Sequence, residues 1–488
     1  MRKVKPLAWL LAGILTSATS LMAIAETQTY NTRIGTLEFH NSFEKGYPTK
    51  DTVTKLFDNY DFSNAVSAYT WATPLVAYWR IKQGFEQQLN AGDGDIVYLK
   101  GLNSARPLLT SNNNTPYIVS NMNLANTGPM VLEVPPGRLL GFIDDAWQRA
   151  ITDLGVTGFG KGKGEKVVVV GPGQTVNAPG YHVVHAKTNH VWAAYRILDT
   201  DPDSAKNLLN SIRHYPFSQR QNPAPQRIIV PERYTYNQAQ PRGLNFWRTL
   251  HEAYSLEVVE ERDRLFLGML QPLGIEKGKP FSPDERQQKL LEEAAFVGES
   301  MLKAITFDKR FATAEWRKGS QWKQLLNTTP DQRTEFYDML EGRAAFFYEA
   351  TSMSETYTKK LVGKGTKYVM TYRDSNKEWL DGGRNYVLKV PQNVPVNLFW
   401  DVSVYEVDSR IFVNNSQQVA NRGSRDAELQ RNDDGTIDIY FGPQPPEGKE
   451  SNWIPTIKGE NWFAAFRFYG PLEPYYDGFF TLPDIVQR

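Results

Sequence analysis

The spacing of apolar residues predicts helices on either side of the middle of the chain. Residues 51–62 and 64–87 predict two consecutive helices, and we expect Pro74 to kink or restart the second, because proline removes a backbone donor. Residues 244–270 and 284–305 predict two long helices, since apolar positions recur there every three or four residues. Such apolar stripes are typical of helices that pack against a core.

Two other regions carry the pattern of β-strands, with short apolar runs bounded by turn residues. The first region has strand patterns at residues 101–137, 166–170, 181–185 and 191–197. The second has them at residues 368–372, 386–390, 396–405, 436–441 and 462–468. Between strands of the first region, residues 144–154 predict a short helix. Residues 203–214 predict another helix, capped at Asp201 or Asp203.

These patterns predict an α+β, β-rich fold in which three segments follow the first 25 residues. Residues 26–217 form an N-terminal helix and β domain, residues 218–356 a linker with a helical segment, and residues 357–488 a C-terminal β domain. The linker is placed at residues 218–241, which are rich in Pro, Gln, Asn and Arg. Closely spaced strands in the last domain favour a sandwich or a jelly-roll-like arrangement.

The first 25 residues contain the three parts of a secretory signal peptide. Positive charges at Arg2, Lys3 and Lys5 precede an apolar stretch at residues 7–14, and an Ala-Ile-Ala site ends at Ala25. We predict cleavage after Ala25 and a bacterial protein that is periplasmic or secreted. No later stretch approaches the roughly 18 apolar residues of a membrane-spanning helix, so we expect no transmembrane segment.

Composition narrows the classes of partner. Lys and Arg number 55 against 54 Asp and Glu, a formal charge of +1, so we expect no nucleic-acid partner. The sequence contains no cysteine, which excludes disulfides and a lipid anchor at the predicted cleavage site. Aromatic residues make up 12% of the chain, and that favours strands and aromatic-lined surfaces.

Catalytic and cofactor motifs are absent or incomplete in the sequence. Residues 155–162 (GVTGFGKG) fit the start of a phosphate-binding loop, but Gly162 stands where magnesium needs Ser or Thr, and a strand pattern follows instead of a helix. The sequence contains no G-x-S-x-G and no H-E-x-x-H. The cofactor therefore stays unknown. The sequence has no motif for a nucleotide or a covalent cofactor. A divalent metal remains one of the alternatives, but no residues are assigned as its ligands.

Three of the six histidines lie within residues 181–195, the densest group of side chains able to act as acid, base or metal ligand. On a regular strand His182 and His185 point to opposite faces, because their separation is odd. His182 and His190 can share a face or meet across a hairpin. One hypothesis is that these histidines are functional, and the alternative is that they are surface or edge-strand side chains.

A second polar group centres on Arg196, which lies in an otherwise apolar strand pattern. A buried arginine needs a carboxylate partner, and Asp144 and Asp145 are the nearest candidates in the sequence. Asn114 and Tyr117 come from an Asn-rich turn, and such turns usually satisfy their own backbone. These residues form a candidate site if the fold brings them together.

Short motifs in both halves of the chain resemble those of a known family. The C-terminal motifs are YTKKLVGKG at 357–365, WLDGG at 379–383, DIYFGP at 438–443, GKESNW at 448–453 and FYGPLEP at 468–474. The N-terminal motifs are NTPY at 114–117, LEVPP at 132–136 and DDAW at 144–147. Together they resemble exported bacterial proteins that carry in tandem the domains of unknown function 1254 and 1214. Members usually carry Asp where this chain has Asn114.

The resemblance implies two β domains, the first immunoglobulin-like and the second jelly-roll-like, with helices packed around them. It implies no settled activity and assigns no catalytic residue. From the residues themselves we expect a hydrolase or lyase acting on an exogenous small or polymeric substrate, with its site in the first β domain or at the domain interface. A His or Asp would be the general base and Arg196 an electrostatic clamp. The candidate catalytic residues are Asn114, Tyr117, Asp144, Asp145, His182, His190 and Arg196.

The alternative is a non-catalytic periplasmic protein that binds a carbohydrate or apolar ligand on aromatic side chains. Its ligand-binding candidates are Trp400, Trp453 and Trp462. A third hypothesis is an assembly module that uses the same aromatic side chains as an interface. Such side chains are compatible with a homo-oligomer but do not require one. The partner expected from the first two hypotheses is a small molecule or a saccharide.

Overall fold

A computed structural model describes residues 27–488 of the chain, which form two compact units, one ending at Tyr60 and the other beginning at Asp61. The predicted signal peptide, residues 1–25, lies outside the described residues, so its cleavage and the predicted localisation stay predictions. Within residues 27–488, no helix is long and apolar enough to cross a membrane.

The first unit contains an antiparallel hairpin and the start of a long helix. Strands β1 (Thr27–Thr32) and β2 (Gly35–His40) pair with Thr27 opposite His40. Helix α1 (Lys50–Leu89) then runs for 40 residues and continues into the second unit. It passes through Pro74 without a break, contrary to a restart there. The turns around Pro74 are fully buried, and this packing offsets the lost backbone bond.

Ten strands of the second unit build a first β-sandwich. They are β3 (Ile96–Leu99), β4 (Tyr117–Asn123), β5 (Met130–Pro136), β6 (Leu139–Asp145), β7 (Ala150–Gly155), β8 (Lys163–Val170), β9 (His182–His185), β10 (His190–Ile197), β11 (Arg213–Pro216) and β12 (Ile228–Ile229). One sheet has the order β12-β3-β4-β10-β6-β7, and the other β11-β5-β8-β9. Apolar side chains from both sheets meet in one core.

Strand β10 is central to its sheet and is covered on both faces. Val191, Ala193 and Tyr195 point into the core of the sandwich, where they meet the opposite sheet. The alternate residues Trp192 and Ala194 join a second core, built mainly from helices. The strand period therefore places Arg196 on the same outer face as Trp192 and Ala194.

Nine further helices accompany α1 in the described residues. They are α2 (Leu102–Ala105), α3 (Leu124–Thr127), α4 (Pro202–Ser211), α5 (Leu244–Leu256), α6 (Arg264–Leu270), α7 (Glu285–Phe307), α8 (Leu340–Glu349), α9 (Glu355–Thr358) and α10 (Glu473–Tyr476). Two of them confirm predicted starts. Asp201 caps α4 by accepting a hydrogen bond from the Ser204 amide, and Asp284 forms a capping box with Gln287 at α7.

Two predicted helices are wrong. Residues 144–154 form the end of β6, a tight turn and β7, because the Asp145 carboxylate accepts the amides of Trp147 and Arg149 and closes the turn. The helix predicted over residues 244–270 is broken between α5 and α6. Its break begins at Glu257, whose side chain binds the amides of Asn189 and His190.

Nine strands build a second sandwich near the C-terminus. They are β13 (Lys323–Gln324), β14 (Thr366–Thr371), β15 (Tyr386–Val390), β16 (Val396–Glu406), β17 (Asn421–Gly423), β18 (Ile437–Gly442), β19 (Trp453–Pro455), β20 (Trp462–Pro471) and β21 (Val486–Gln487). The sheets have the orders β13-β14-β20-β16-β17 and β19-β18-β15-β21, around one shared core. The predicted β-rich α+β fold is confirmed.

Candidate functional site

A cavity lies where the outer face of the β10 sheet meets the second sandwich. The space that the centres of water-sized molecules can occupy in it measures about 90 Å³. Strands β4, β6 and β10 form one wall, and β14 and β20 contribute to the other. Most of its walls are apolar, from Leu108, Leu140, Phe142, Trp192, Ala194, Phe346 and Met370.

Arg196 projects from β10 into this cavity. Its Nη2 donates a hydrogen bond to the Tyr368 hydroxyl at 2.9 Å, and its guanidinium carbon lies 5.8 Å from the centre of the Tyr117 ring. Among residues 27–488 no carboxylate forms an ion pair with it, and the groups that act on it electrostatically are tyrosines. The cation is thus left without a counter-ion in a largely apolar enclosure.

The expected pairing of Arg196 with Asp144 or Asp145 is wrong, and strand register explains why. In the β6–β10 ladder Asp144 lies opposite Trp192, whereas Arg196 lies opposite Leu140. Four residues along a strand span about 13 Å, at about 3.3 Å per residue. The acids and the arginine therefore sit at opposite ends of the ladder.

Asp144 and Asp145 have structural partners instead. Asp144 is fully buried, and its Oδ2 accepts the Met353 amide at 2.7 Å. Burial raises the pKa of the Asp144 carboxyl well above its ordinary value. Asp145 binds the Arg149 guanidinium at 2.6 Å, in a buried ion pair that Glu260 also joins. Neither acid lines the cavity.

Arg467 on β20 also lines the cavity, but its charge is compensated. It lies 3.3 Å from Asp401, and it donates to the Ser403 hydroxyl at 2.8 Å and to the carbonyl of Thr110 at 2.7 Å. Asn114 belongs to this network, because its amide donates to Asp401 at 2.6 Å. The network ties the turn before β4 to the second sandwich.

Tyr117 is one of the residues that line the cavity. The hydroxyl oxygen accepts hydrogen bonds from the backbone and side-chain amides of Asn112, at 2.8 and 2.5 Å. Both acceptor positions are then filled, so the phenol proton is free to donate elsewhere. The predicted Asn-turn is confirmed, since Asn112 Oδ1 accepts the amides of Asn114 and Thr115, both at 3.0 Å.

Three further tyrosines surround the same end of the cavity. Tyr357 and Tyr368 line it, with ring centres 6.1 Å apart and an edge-to-face arrangement. Tyr469 lies just behind them, and its buried hydroxyl has no hydrogen-bond partner among the described residues. Burial raises the pKa of the Tyr357 and Tyr469 phenols above the ordinary value, so both are neutral donors.

The histidines are placed far apart in the structure. His182 is exposed on the edge strand β9, where it stacks on Phe159 at 4.4 Å. His190 is buried at the start of β10, and its Nδ1 lies 2.6 Å from Glu257. The two belong to different sheets and do not converge on one position. Within residues 27–488, no group of three or more His, Cys, Asp or Glu could hold a metal ion.

The three candidate tryptophans pack within the second sandwich. Trp400 is buried and stacks on Phe466 at 5.3 Å. Trp462 is buried and stacks on Phe441 at 4.9 Å. Trp453 is half-buried and donates its indole N–H to the Gly442 carbonyl at 2.9 Å. They do not form an exposed platform for a sugar.

The glycine-rich segment at residues 155–162 is bound by a carboxylate of its own chain. Glu165 on β8 accepts the amide of Gly155 at 2.6 Å and that of Gly160 at 2.9 Å. The amides that a phosphate would need are therefore occupied. The segment is a structural turn between β7 and β8.

Sequence reasoning identified Arg196 and Tyr117 but missed Arg467, Tyr357 and Tyr368 as lining residues. A sequence signal for Arg467 existed. Like Arg196, it is a single cation in an otherwise apolar strand. The two tyrosines carried no comparable signal, because their role depends on contacts with a strand more than 150 residues away.

The fold and the cavity define a class of protein with two β-sandwiches and an apolar chamber between them. The sequence adds the domain families. "Protein of unknown function (DUF1254)" matches residues 96–216, and "Protein of unknown function (DUF1214)" matches residues 365–473. The chain therefore carries these two domains in tandem, in the order that its motifs indicated.

One solved structure supports the fold. The VPA0106 protein from Vibrio parahaemolyticus superposes with a TM-score of 0.55 at 18% identity, over 88% of this chain and 100% of that one. An uncharacterized protein from Burkholderia cenocepacia has a TM-score of 0.40 at 9% identity, over 88% of this chain and 96% of that one. The first likeness concerns the fold alone. No curated protein is similar enough to this chain to count as a match.

Proposed function

We propose that the protein binds a small anionic ligand with a large apolar body in the cavity between its two β-sandwiches. The observation that carries this proposal is Arg196, a cation that faces an apolar cavity and has no carboxylate partner among the residues that the structure describes. Leaving a charge desolvated and unpaired is costly, so an arginine in such a place favours an anion as its natural counterpart.

The polar end of the cavity is rich in donors and poor in free acceptors. Arg196 has several N–H groups beyond the one that binds Tyr368. The Tyr117 hydroxyl has both acceptor positions filled and a proton left to donate. The carboxylate that pairs with Arg467, Asp401, is also bound by Asn114 and Ser403. This balance suits a carboxylate or another oxyanion and disfavours a cation.

The walls suit an apolar body. Apolar side chains such as Leu140, Phe142 and Trp192 surround most of the space. Each buried methylene contributes about 0.8 kcal/mol. An aliphatic or aromatic body would therefore supply most of the affinity, while Arg196 would select the head group.

Binding is favoured over the hydrolase or lyase function expected from the sequence. Such chemistry needs a group to take up a proton near the reacting atom. In the described part of the chain, the lining of the cavity includes no histidine, aspartate or glutamate. A saccharide is also disfavoured, because sugars need many polar partners and the walls are mainly apolar.

Calorimetric titration tests the proposal with ligands that differ only in the head group. Wild-type protein is expected to bind dodecanoate at least about tenfold more tightly than dodecanol, since a hydrogen bond to a charged group contributes about 1.5–3 kcal/mol. Arg196→Met should abolish this preference, and Arg196→Lys should keep part of it. The control Arg264→Met, at an exposed arginine on α6, should leave it unchanged. Equal binding of both ligands by the wild type would overturn the proposal.

A further inference from the structure

A second chamber adjoins the cavity. We call it the vestibule. It is more open to solvent and shares five lining residues with the cavity, namely Leu325, Phe346, Tyr357, Thr366 and Tyr368. These shared side chains form the boundary between the two spaces. A ligand that outgrows the cavity would extend along them into the vestibule.

Three lysines line the vestibule, and two of them have carboxylate partners. Lys359 forms an ion pair with Glu355 at 3.0 Å, and Lys360 forms one with Glu473. Both lysines are exposed to solvent. Their charges are neutralised locally, so neither needs a ligand.

Lys367 is different from its two neighbours. It is half-buried on β14, and its Nζ donates to the backbone carbonyl of Tyr357 at 2.6 Å. In the described part of the chain no carboxylate pairs with it. Burial lowers the pKa of its ammonium group to about 8, which is the effect of desolvation without a compensating negative charge. Two of its ammonium protons are left for another acceptor.

We propose that the ligand carries two anionic groups separated by an apolar body, one held by Arg196 in the cavity and the other by Lys367 in the vestibule. This inference rests on the proposed binding function and names its ligand class. Among residues 27–488, each chamber is lined by one cation that has no carboxylate partner, and the chambers share a wall. One elongated dianion would satisfy both cations at once.

Strand β14 connects the two anion positions. Lys367 lies in the vestibule, and the next residue, Tyr368, accepts the hydrogen bond from Arg196. Tyr357 contributes at both positions, since its carbonyl binds Lys367 and its ring packs edge-to-face with Tyr368. The apolar body would lie along these two rings, which bound both chambers.

Matched ligands test the inference. Straight-chain α,ω-diacids, from octanedioate to hexadecanedioate, are titrated calorimetrically into the purified protein beside the monoacids of the same length. At one chain length or more, the wild type is expected to bind the diacid at least about tenfold more tightly than its monoacid. Lys367→Met should remove this advantage without changing monoacid affinity, and Lys367→Arg should preserve it. Thermal unfolding of each variant shows that it is folded.

The control is Lys359→Met, which removes a paired lysine from the same vestibule and should leave the diacid advantage intact. Equal affinities for diacid and monoacid at every length would overturn the inference, and so would an advantage that survives in Lys367→Met. If monoacids still bind in an Arg196-dependent way, the proposed function stands while the second anion site falls. If neither series binds, the proposed function itself fails.

Discussion

Arg196 on β10 and Tyr368 on β14 are joined by a hydrogen bond of 2.9 Å across 172 positions of the sequence. This bond connects the first sandwich to the second at the edge of a shared cavity. Tyr368 binds the guanidinium through a hydroxyl group and not through a carboxylate, so this bond orients the guanidinium without pairing it with a carboxylate. The cation remains available to a ligand, and the cavity acquires a polar end and an apolar end.

Filling the cavity should block binding without destabilising the fold. Ala194 faces the cavity beside Trp192, so Ala194→Met would occupy ligand space. We expect dodecanoate affinity to fall at least about tenfold while the melting temperature is maintained.

The neighbouring alanine supplies the control for this prediction. Ala193 is fully buried on the opposite face of β10, inside the sandwich core. Ala193→Met should overpack that core and cost about 1–3 kcal/mol in the free energy of unfolding. Unchanged ligand affinity in Ala194→Met would place the ligand elsewhere.

The buried network at Arg467 should be important for stability. Arg467→Met leaves Asp401 as a fully buried carboxylate without its cation, and breaking a buried pair in this way costs about 3–5 kcal/mol. Denaturant unfolding measures this loss. Lys389→Met removes an exposed partner of Asp438 and should cost at most about 1 kcal/mol. Similar losses in the two variants would contradict the assignment.

His214 should make the fold sensitive to acid. It is buried beside Tyr195, with its Nε2 2.9 Å from the phenol oxygen, and burial lowers its pKa to about 3. Below the ordinary value of about 6.5 the unfolded chain takes up a proton that the folded chain does not, so stability falls with pH until about pH 3. His214 alone accounts for about 1.4 kcal/mol per pH unit in that range.

Urea unfolding between pH 7 and pH 4 measures how the free energy of unfolding depends on pH, and the comparison of wild type with variants isolates the contribution of His214. His214→Gln keeps a hydrogen-bonding side chain but cannot ionise, so its stability should fall less steeply with acid than that of the wild type. His182→Gln alters an exposed histidine and should follow the wild type. Parallel curves for all three proteins would show that His214 is protonated in the folded state.

Asp144 should have the opposite pH dependence. Burial raises the pKa of its carboxyl well above the ordinary value, so the folded protein keeps a proton that the unfolded chain releases above about pH 4. Stability from this group is therefore complete at low pH and is lost as pH rises toward the folded pKa. Asp144→Asn removes the ionisation and keeps an oxygen for the Met353 amide.

The expected result is that Asp144→Asn becomes more stable relative to the wild type as pH rises from 4 to 8. Denaturant midpoints across this range provide the measurement. Asp433→Asn, at an exposed loop position, should show no such trend. A constant difference between Asp144→Asn and the wild type would mean that the buried carboxyl does not hold its proton.

The sequence predicted local features better than long-range partners. The lone charge in an otherwise apolar strand pattern marked Arg196 as important, and the structure places it on the same face of β10 as Trp192 and Ala194. The predicted partner of Arg196 was wrong. Proximity in sequence favoured Asp144, but the strand register places Asp144 about 13 Å from Arg196 along the ladder. The contact with Tyr368 could not be predicted from the sequence, because no local pattern indicates which strand packs against β10.

In one segment, hydrogen bonds from a polar side chain determined the backbone structure, and the periodicity of the sequence did not. The pattern at residues 144–154 is compatible with a helix, but the Asp145 side chain binds two amides of its own turn and allows Gln148 a positive φ of 58°. The histidines showed a further limit. Strand alternation separated His182 from His185, but the pairing that places His182 and His190 in different sheets depends on the whole topology.

The central claim is that an anionic head group binds Arg196 inside the cavity. A crystal structure of the protein with ω-bromododecanoate tests it most directly, because anomalous scattering locates the bromine and the electron density locates the carboxylate. We predict the carboxylate within hydrogen-bonding distance of the Arg196 guanidinium and the Tyr117 hydroxyl, with the chain along Phe142 and Trp192. A carboxylate that lies in solvent, or a ligand bound outside the cavity, would contradict the account.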